Sequence, residues 1–291
     1  MTDEYRNLNT EVRAEAEKPD KTKTEPMTTT LLPFSTIDNL RDLGGLYTPE
    51  GKMIKPGRLF RSANLHHASQ HDLDTLNLMG LKKVFDLRTE WEVAAEPDHL
   101  HAGWKLFHEP LLHETTLASQ FGSELNFVKS TVEDMNETMK DAYILMFSSE
   151  RGKESWKVLF KELLKDHSPV LWHCTEGKDR TGMTAALIEH ALGIEEELIL
   201  KDYLETNTAA RRLIQKDEDE AAHIPGFGNG VLKEDVKDFV TASPAYYQAA
   251  DSWIKSGYGS WKGYLKQEVG LSDADFERLE TLWLQDSERN L

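Results

Sequence analysis

The stretch VLWHCTEGKDRTGMTAALIEHAL, Val170 to Leu192, constrains the fold more than any other part of the chain. Pro169 precedes a short apolar run, Val170–His173, which reads as a buried strand. TEGKDRTG cannot continue that strand, because it is polar and broken by Gly177 and Gly182. Met183, Leu187, Ile188 and Leu192 then recur along one side, so the spacing predicts a helix from near Arg180. The product is a strand–loop–helix unit with Cys174, the only cysteine, at the end of the strand. In such a unit the loop amides and the first helical turn face one small concavity, which suits an oxyanion.

The same field favours the thiolate form of a cysteine placed there beside Lys and Arg. A thiolate in an anion cradle has a defined use. The amides hold phosphoryl oxygens while sulfur attacks phosphorus in line with the leaving oxygen. The loop residues Thr175, Glu176, Gly177, Lys178, Asp179 and Arg180 are therefore the expected substrate-binding set, with Cys174 as nucleophile. Arg180 can grip two oxygens with its planar fork, which Lys cannot do. Gly177 would let the backbone turn its amides inward, and Gly182 would permit close helix packing. Thr181 is expected to hydrogen-bond the sulfur, and His173 to fix the loop through its ring nitrogens.

The rest of the chain supplies layers around this unit. GGLYTPEGKMI reads as a hairpin feeding a strand at 58–61, and LKKVFDLR and WKLFHEPL read as two further buried strands. SQHDLDTLNLMG reads as a helix stopped at Gly80, and ESWKVLFKELLKDH as an amphipathic helix. Helical spacing dominates the C-terminal half, where Ser272 is a candidate cap for the last helix. Strands alternating with helices predict an α/β fold: a central, mainly parallel sheet flanked by helices, with a helix-rich C-terminal part. Residues 1–30 are polar and read as a mobile arm, and 31–291 as one domain. Residues 115–149 read either as a helical lid over the pocket or as a packed helix carrying Met139, Tyr143 and Met146.

Composition removes other classes. Against 34 basic residues stand 51 acidic ones, a formal net charge of −17, so neither a nucleic acid nor an anionic membrane surface is an expected partner. No apolar run is long enough to span a bilayer, so stable membrane insertion is not expected. A single cysteine excludes an internal disulfide and fits a reducing, cytoplasmic setting, with secretion open if a signal peptide precedes this chain. His66–His67 with His71, and His99 with His101, have loose metal-ligand spacing and no completing carboxylate, and read as solvated. Neither a metal nor a cofactor is expected.

HCTEGKDRTG resembles the phosphate-binding loop of the protein tyrosine phosphatase superfamily. Together with NLRDLGGL, RLFRSANL, VFDLRTEWEV and DYLETN it is similar to the bacterial branch called tyrosine-protein phosphatase family 3. The resemblance implies a protein tyrosine phosphatase-like fold, a phosphocysteine intermediate, Cys174 as nucleophile and Arg180 as phosphate clamp. It also implies a general acid inside the loop, at Asp179, because the chain has no Trp-Pro-Asp tripeptide. Asp86 is a weaker candidate for that acid. Arg41 and Asp42, in LRDLGG, are implied to support the site, Arg41 by pairing a loop carboxylate. Arg61 and Arg88 read as structural ion pairs. The implied substrate is a phosphorylated protein or a phosphoinositide, the latter suggested by Lys178. A phosphate-binding module without turnover and a rhodanese-type sulfurtransferase are the competing readings. The first would be expected to lack one of Cys174, Asp179 and Arg180, and the second lacks the GKDRTG ending.

Overall fold

The runs that the sequence marks as buried strands lie side by side. The computed structural model describes residues 29–113, 132–221 and 240–286. Its strands are β1 (Thr30–Leu31), β2 (Arg41–Asp42), β3 (Lys52–Ile54), β4 (Leu59–Ser62), β5 (Lys83–Asp86), β6 (Lys105–His108), β7 (Val170–His173) and β8 (Leu284–Asp286). The main helices are α1 (Gln70–Leu78), α2 (Glu90–Ala95), α3 (Val132–Ser148), α4 (Glu150–Leu163) and α5 (Asp179–Ala191). They continue with α6 (Glu196–Ala209), α7 (Arg211–Ala221), α8 (Pro244–Tyr258), α9 (Trp261–Tyr264) and α10 (Asp273–Trp283).

One sheet runs β1-β2-β4-β7-β5-β6. Strands β4, β7, β5 and β6 are parallel neighbours, and β1 and β2 extend the sheet antiparallel. This is the expected α/β layering. The three inner strands β4, β5 and β7 are buried throughout, as parallel strands covered on both faces must be. Alternate residues serve opposite faces. Phe60, Val84 and Leu171 pack with α1, whereas Leu59, Phe85, Val170 and Trp172 join the larger core built by the other helices. Strand β6 departs from the expected buried strand: as the edge of the sheet it is largely exposed.

Local signals set the element ends. Ser69 and Ser149 cap α1 and α4, and Ser272 forms a capping box with Asp275 at α10. The chain reverses after α1 at Gly80, whose φ is +91°. The hairpin at Pro49–Gly51 forms, with Thr48 N donating to Lys52 O at 2.8 Å. Its second strand, β3, pairs along its other edge with β8, a strand the sequence did not disclose.

The folded body takes in two residues assigned to the arm. Thr29 is buried and bonds Glu205, and Thr30 pairs with Asp42. Residues 1–28 lie outside the described residues, as do 114 and residues 115–131 of the expected lid. The described part of that segment, α3, buries Met139, Tyr143, Met146 and Phe147 in the main core, the packed-helix alternative. Among the described residues no helix is long and apolar enough to cross a membrane.

Candidate active site

Strand β7 delivers Cys174 to the carboxyl end of the sheet, where open α/β sheets bind ligands. Between β7 and α5 the loop turns its carbonyls outward and pins each one. Cys174 O accepts from His173 Nδ1 at 3.2 Å, and Thr175 O from Asn64 N at 3.0 Å. Glu176 O and Gly177 O accept from Asn39 Nδ2 at 3.2 and 2.9 Å, and Gly177 O also from Arg61 at 3.0 Å. With the carbonyls fixed behind the loop, planar peptides put the amides on its inner side. Gly177 makes this possible. Its φ is +72°, and a Cβ there would stand 2.5 Å from the backbone of Ser62.

Arg180 lies in the first turn of α5 and is gripped from α2. Its two terminal nitrogens donate to Glu92 Oε2 and Oε1 at 2.6 and 2.7 Å. One terminal nitrogen also reaches Thr175 Oγ1 at 3.4 Å, which leaves Nε–H and one outer hydrogen of the fork available to an oxyanion. Thr175 Oγ1 donates to the same Glu92 at 2.6 Å. Glu92 is itself held by the capping box with Thr89. Burial acts to raise the Glu92 carboxyl, but Arg180, the Thr175 hydroxyl and the Thr89 amide outweigh it and bring the pKa to about 2. Burial likewise works against the Arg180 charge, yet Glu92, Cys174 and Asp179 raise its pKa further. A cysteine, an amide cradle and a permanently charged, pre-aimed guanidinium thus converge on one point.

The tyrosine phosphatase family profile matches residues 32–285. A Cupriavidus necator protein named as a candidate tyrosine-protein phosphatase is 32% identical over 241 residues, covering 82% of this chain and 84% of its own length. The triple specificity protein phosphatase PtpB of Mycobacterium tuberculosis is 30% identical over 270 residues, 83% of this chain and 94% of its own. A tyrosine-protein phosphatase of Nostoc commune is 27% identical over 227 residues. This chain belongs to the tyrosine phosphatase family. It is a cysteine-dependent phosphatase of the protein tyrosine phosphatase type, a phosphoric monoester hydrolase.

Around the phosphatase loop, several expected residues have other contacts. Arg41 does not pair a loop carboxylate. It is wholly buried and bonds Asp202 Oδ1 at 2.5 Å, with Glu205 and Thr206 beside it, because α6 crosses behind the loop. Asp42 accepts from the amides of Gly44 and Gly57 at 2.9 and 2.7 Å and so staples the hairpin. Thr181 does not bond the sulfur. Its hydroxyl is buried without a hydrogen-bond partner among the described residues, and the residue is anchored through its carbonyl by Trp172 Nε1 at 3.1 Å. The side chains of Thr175, Glu176 and Lys178 turn to protein partners: Thr175 to Glu92, Glu176 and Lys178 to each other, and Lys178 also to Val240 O. Asp86 accepts both arms of Arg88, at 2.8 and 2.9 Å, and braces the end of β5.

His173 faces two acceptors, Cys174 O through Nδ1 and Asp98 Oδ2 at 3.0 Å from Nε2. Burial opposes its charge, but Asp98 and Asp86 raise the imidazole above its ordinary value. The ring thus lies directly behind the cysteine, between its carbonyl and the Asp98 carboxylate. Asp86, Asp98 and His173 are also close enough to resemble a metal cluster. Arg88 stands against both carboxylates, 2.8 Å from Asp86 Oδ2 and 3.0 Å from Asp98 Oδ1, which makes the group an ion-pair network.

Sequence reasoning missed Glu92, Asn39, Asp98, Asp202 and Tyr143 as neighbours of the loop. Only Glu92 carried a readable signal, the Thr89-x-x-Glu92 capping box just after a strand.

Proposed function

We propose that this phosphatase works through a phosphocysteine intermediate on Cys174, with Arg180 as clamp and Asp179 as general acid. In the first step the Sγ–P bond forms and the P–O bond breaks, while Asp179 gives its proton to the departing oxygen. In the second, water displaces sulfur, with the same carboxylate taking the proton. The observation that carries this reading is the bidentate Arg180–Glu92 pair beside Cys174, with every loop carbonyl from 174 to 177 tied back.

We place phosphorylated proteins, phosphotyrosine first, ahead of phosphoinositides. Lys178 is the residue that suggested a phosphoinositide, but its ammonium is nearly buried. It donates to Val240 O at 3.2 Å and lies 3.3 Å from Glu176 and 3.8 Å from Asp179. Its charge is thus spent within the protein, where a second substrate phosphate would need it. The acidic body also disfavours docking on anionic lipid, and the single cysteine, which must stay reduced to act, suits a cytoplasmic site of action.

The test is turnover of phosphotyrosine peptides and of a phosphoinositide series by wild type and Cys174→Ser. The variant should lose about 10⁴-fold or more on every ester while still binding substrate. Full activity in Cys174→Ser would sink the mechanism, and faster phosphoinositide turnover would reverse the substrate order.

A further inference from the structure

Tyr143 lies in the middle of α3 and is wholly buried, yet its hydroxyl reaches the active-site loop. It donates to Asp179 Oδ1 at 2.5 Å. A second hydroxyl, Tyr203 Oη from α6, stands 2.8 Å from it, and Tyr203 bonds the carbonyl of Ser243 at 3.2 Å. The Tyr203 and Tyr246 rings pack against the Tyr143 ring, with centroids 6.4 and 5.6 Å away, so the phenol cannot swing. Burial first, then the charge of Asp179, pushes the Tyr143 phenol well above its ordinary value, so it keeps its proton and acts as a donor.

Asp179 needs such a partner. It is the first residue of α5 and its side chain is partly exposed, so nothing in the loop alone selects the rotation of its carboxyl. The two oxygens differ in surroundings. Oδ1 faces Tyr143, and Oδ2 lies 3.8 Å from the Lys178 ammonium. Oδ1 can accept from Tyr143 whether the carboxyl is protonated on Oδ2 or ionised. One hydrogen bond therefore serves the residue before and after proton transfer. The nearby ammonium stabilises the negative charge left when Oδ2 gives up its proton.

We propose that Tyr143 is a positioning residue for Asp179, fixing the carboxyl so that Oδ2 carries the proton delivered to the leaving oxygen. This rests on the reading above in which Asp179 is the general acid. The balance is simple: the Sγ–P bond forms, the P–O bond to the leaving group breaks, and the proton passes from Oδ2 to that oxygen. Tyr143 keeps its own proton throughout.

The experiment is steady-state kinetics of Tyr143→Phe on two esters, phenyl phosphate, whose leaving group needs a proton, and 2,4-dinitrophenyl phosphate, whose leaving group does not. Loss of one hydrogen bond to a charged group should lower kcat on phenyl phosphate about tenfold. KM, inhibition by inorganic phosphate, and kcat on the dinitrophenyl ester should stay within about twofold. In an Asp179→Asn background the same substitution should change nothing further, because its effect passes through that carboxyl. Tyr246→Phe, whose hydroxyl bonds Asn136, should show no preference between the esters. Equal losses on both esters, loss of phosphate inhibition, or a tenfold loss persisting in Asp179→Asn would each overturn the assignment. Failure of the underlying reading looks different. It would appear as undiminished turnover in Cys174→Ser, or as an Asp179→Asn enzyme with wild-type rates on both esters.

Discussion

Arg180 and Arg61 sit on opposite sides of one loop and meet the same kind of partner, a carboxylate on a helix, but the two pairs are built differently. Arg61 is fully buried, bonding Asp202 Oδ2 at 2.6 Å and the carbonyl of Gly177, with Arg41 on the other oxygen of Asp202. Arg180 shares Glu92 with the Thr175 hydroxyl, and its side chain keeps 12% of its surface exposed. Behind the loop, the terminal nitrogens of two buried guanidinium groups hold α6, and those of Arg61 also hold the Gly177 carbonyl. In front, one guanidinium is held only far enough to aim it. Chemistry thus follows from unused donors facing solvent, while the buried pairs set the shape of the surface on which those donors stand.

The sharpest break of this comparison is to exchange the two arginines' effects. Arg61→Met strips one partner from a buried carboxylate, and such losses run to about 3–5 kcal/mol of unfolding free energy. Arg180→Lys keeps a charge opposite Glu92 but loses the fork, so stability should fall by no more than about 2 kcal/mol. Its kcat should fall by about 10²–10³, the range for removing a preorganised donor to the transition state. Urea unfolding and phosphatase kinetics on both variants check this. A stability loss in Arg180→Lys as large as that of Arg61→Met would erase the distinction.

The pH dependence of Glu92 sharpens it next. Its pKa is held at about 2 in the folded protein, against 4.5 for an ordinary glutamate. A depressed carboxyl contributes stability that is present above pH 4.5 and lost as pH falls toward 2. At 1.36 kcal/mol per unit that contribution is about 3 kcal/mol. The gap in unfolding free energy between wild type and Glu92→Gln should therefore be widest at neutral pH and close between pH 5 and 2. His173 works in the opposite sense. Its raised imidazole stabilises fully below 6.5, and that contribution disappears as pH rises through its folded value. A Glu92→Gln gap that stayed constant with pH would mean that Arg180 does not depend on that carboxylate.

The two sides of the loop also differ in how well the sequence discloses them. Cys174, Asp179 and Arg180 are legible because they fall within seven positions of one loop, framed by an apolar run and a helical repeat, so local geometry alone brings them together. The inner strands are legible for the same reason: each is a short run buried on both faces. The back of the site is assembled from Asn39, Arg61, Asp98 and Asp202, whose distances along the chain hide their meeting. Arg41 was drawn toward the loop by its motif, but only the path of α6 shows that its partner is helical. Tyr143 shares a helical face with Met139 and Met146, so its pattern reads as plain core, and nothing local marks its hydroxyl. Strand β8 is masked by the helical spacing of DADFERLETLWL running directly into it, and three residues are too few to show alternation. The exposure of β6 depends on its place at the sheet edge, which no property of WKLFHEPL encodes.

The mildest change tests whether the two sides are mechanically joined. Gly182 sits in α5 where a Cβ would come within 2.9 Å of the Tyr203 ring and 3.3 Å of Arg61. Gly182→Ala therefore adds one methyl to a packed junction, and overpacking of that kind costs about 1–3 kcal/mol. The Tyr203 ring is the part that can yield, and its hydroxyl is 2.8 Å from that of Tyr143. Movement there should reach Asp179 through Tyr143, and along the first turn of α5 that Gly182 shares with it, so kcat on phenyl phosphate should fall a few-fold while the dinitrophenyl ester is spared. If thermal unfolding shifts but the ratio of the two rates does not, the helix junction is a packing contact alone, and the buried tyrosines carry no motion from the back of the loop to its front.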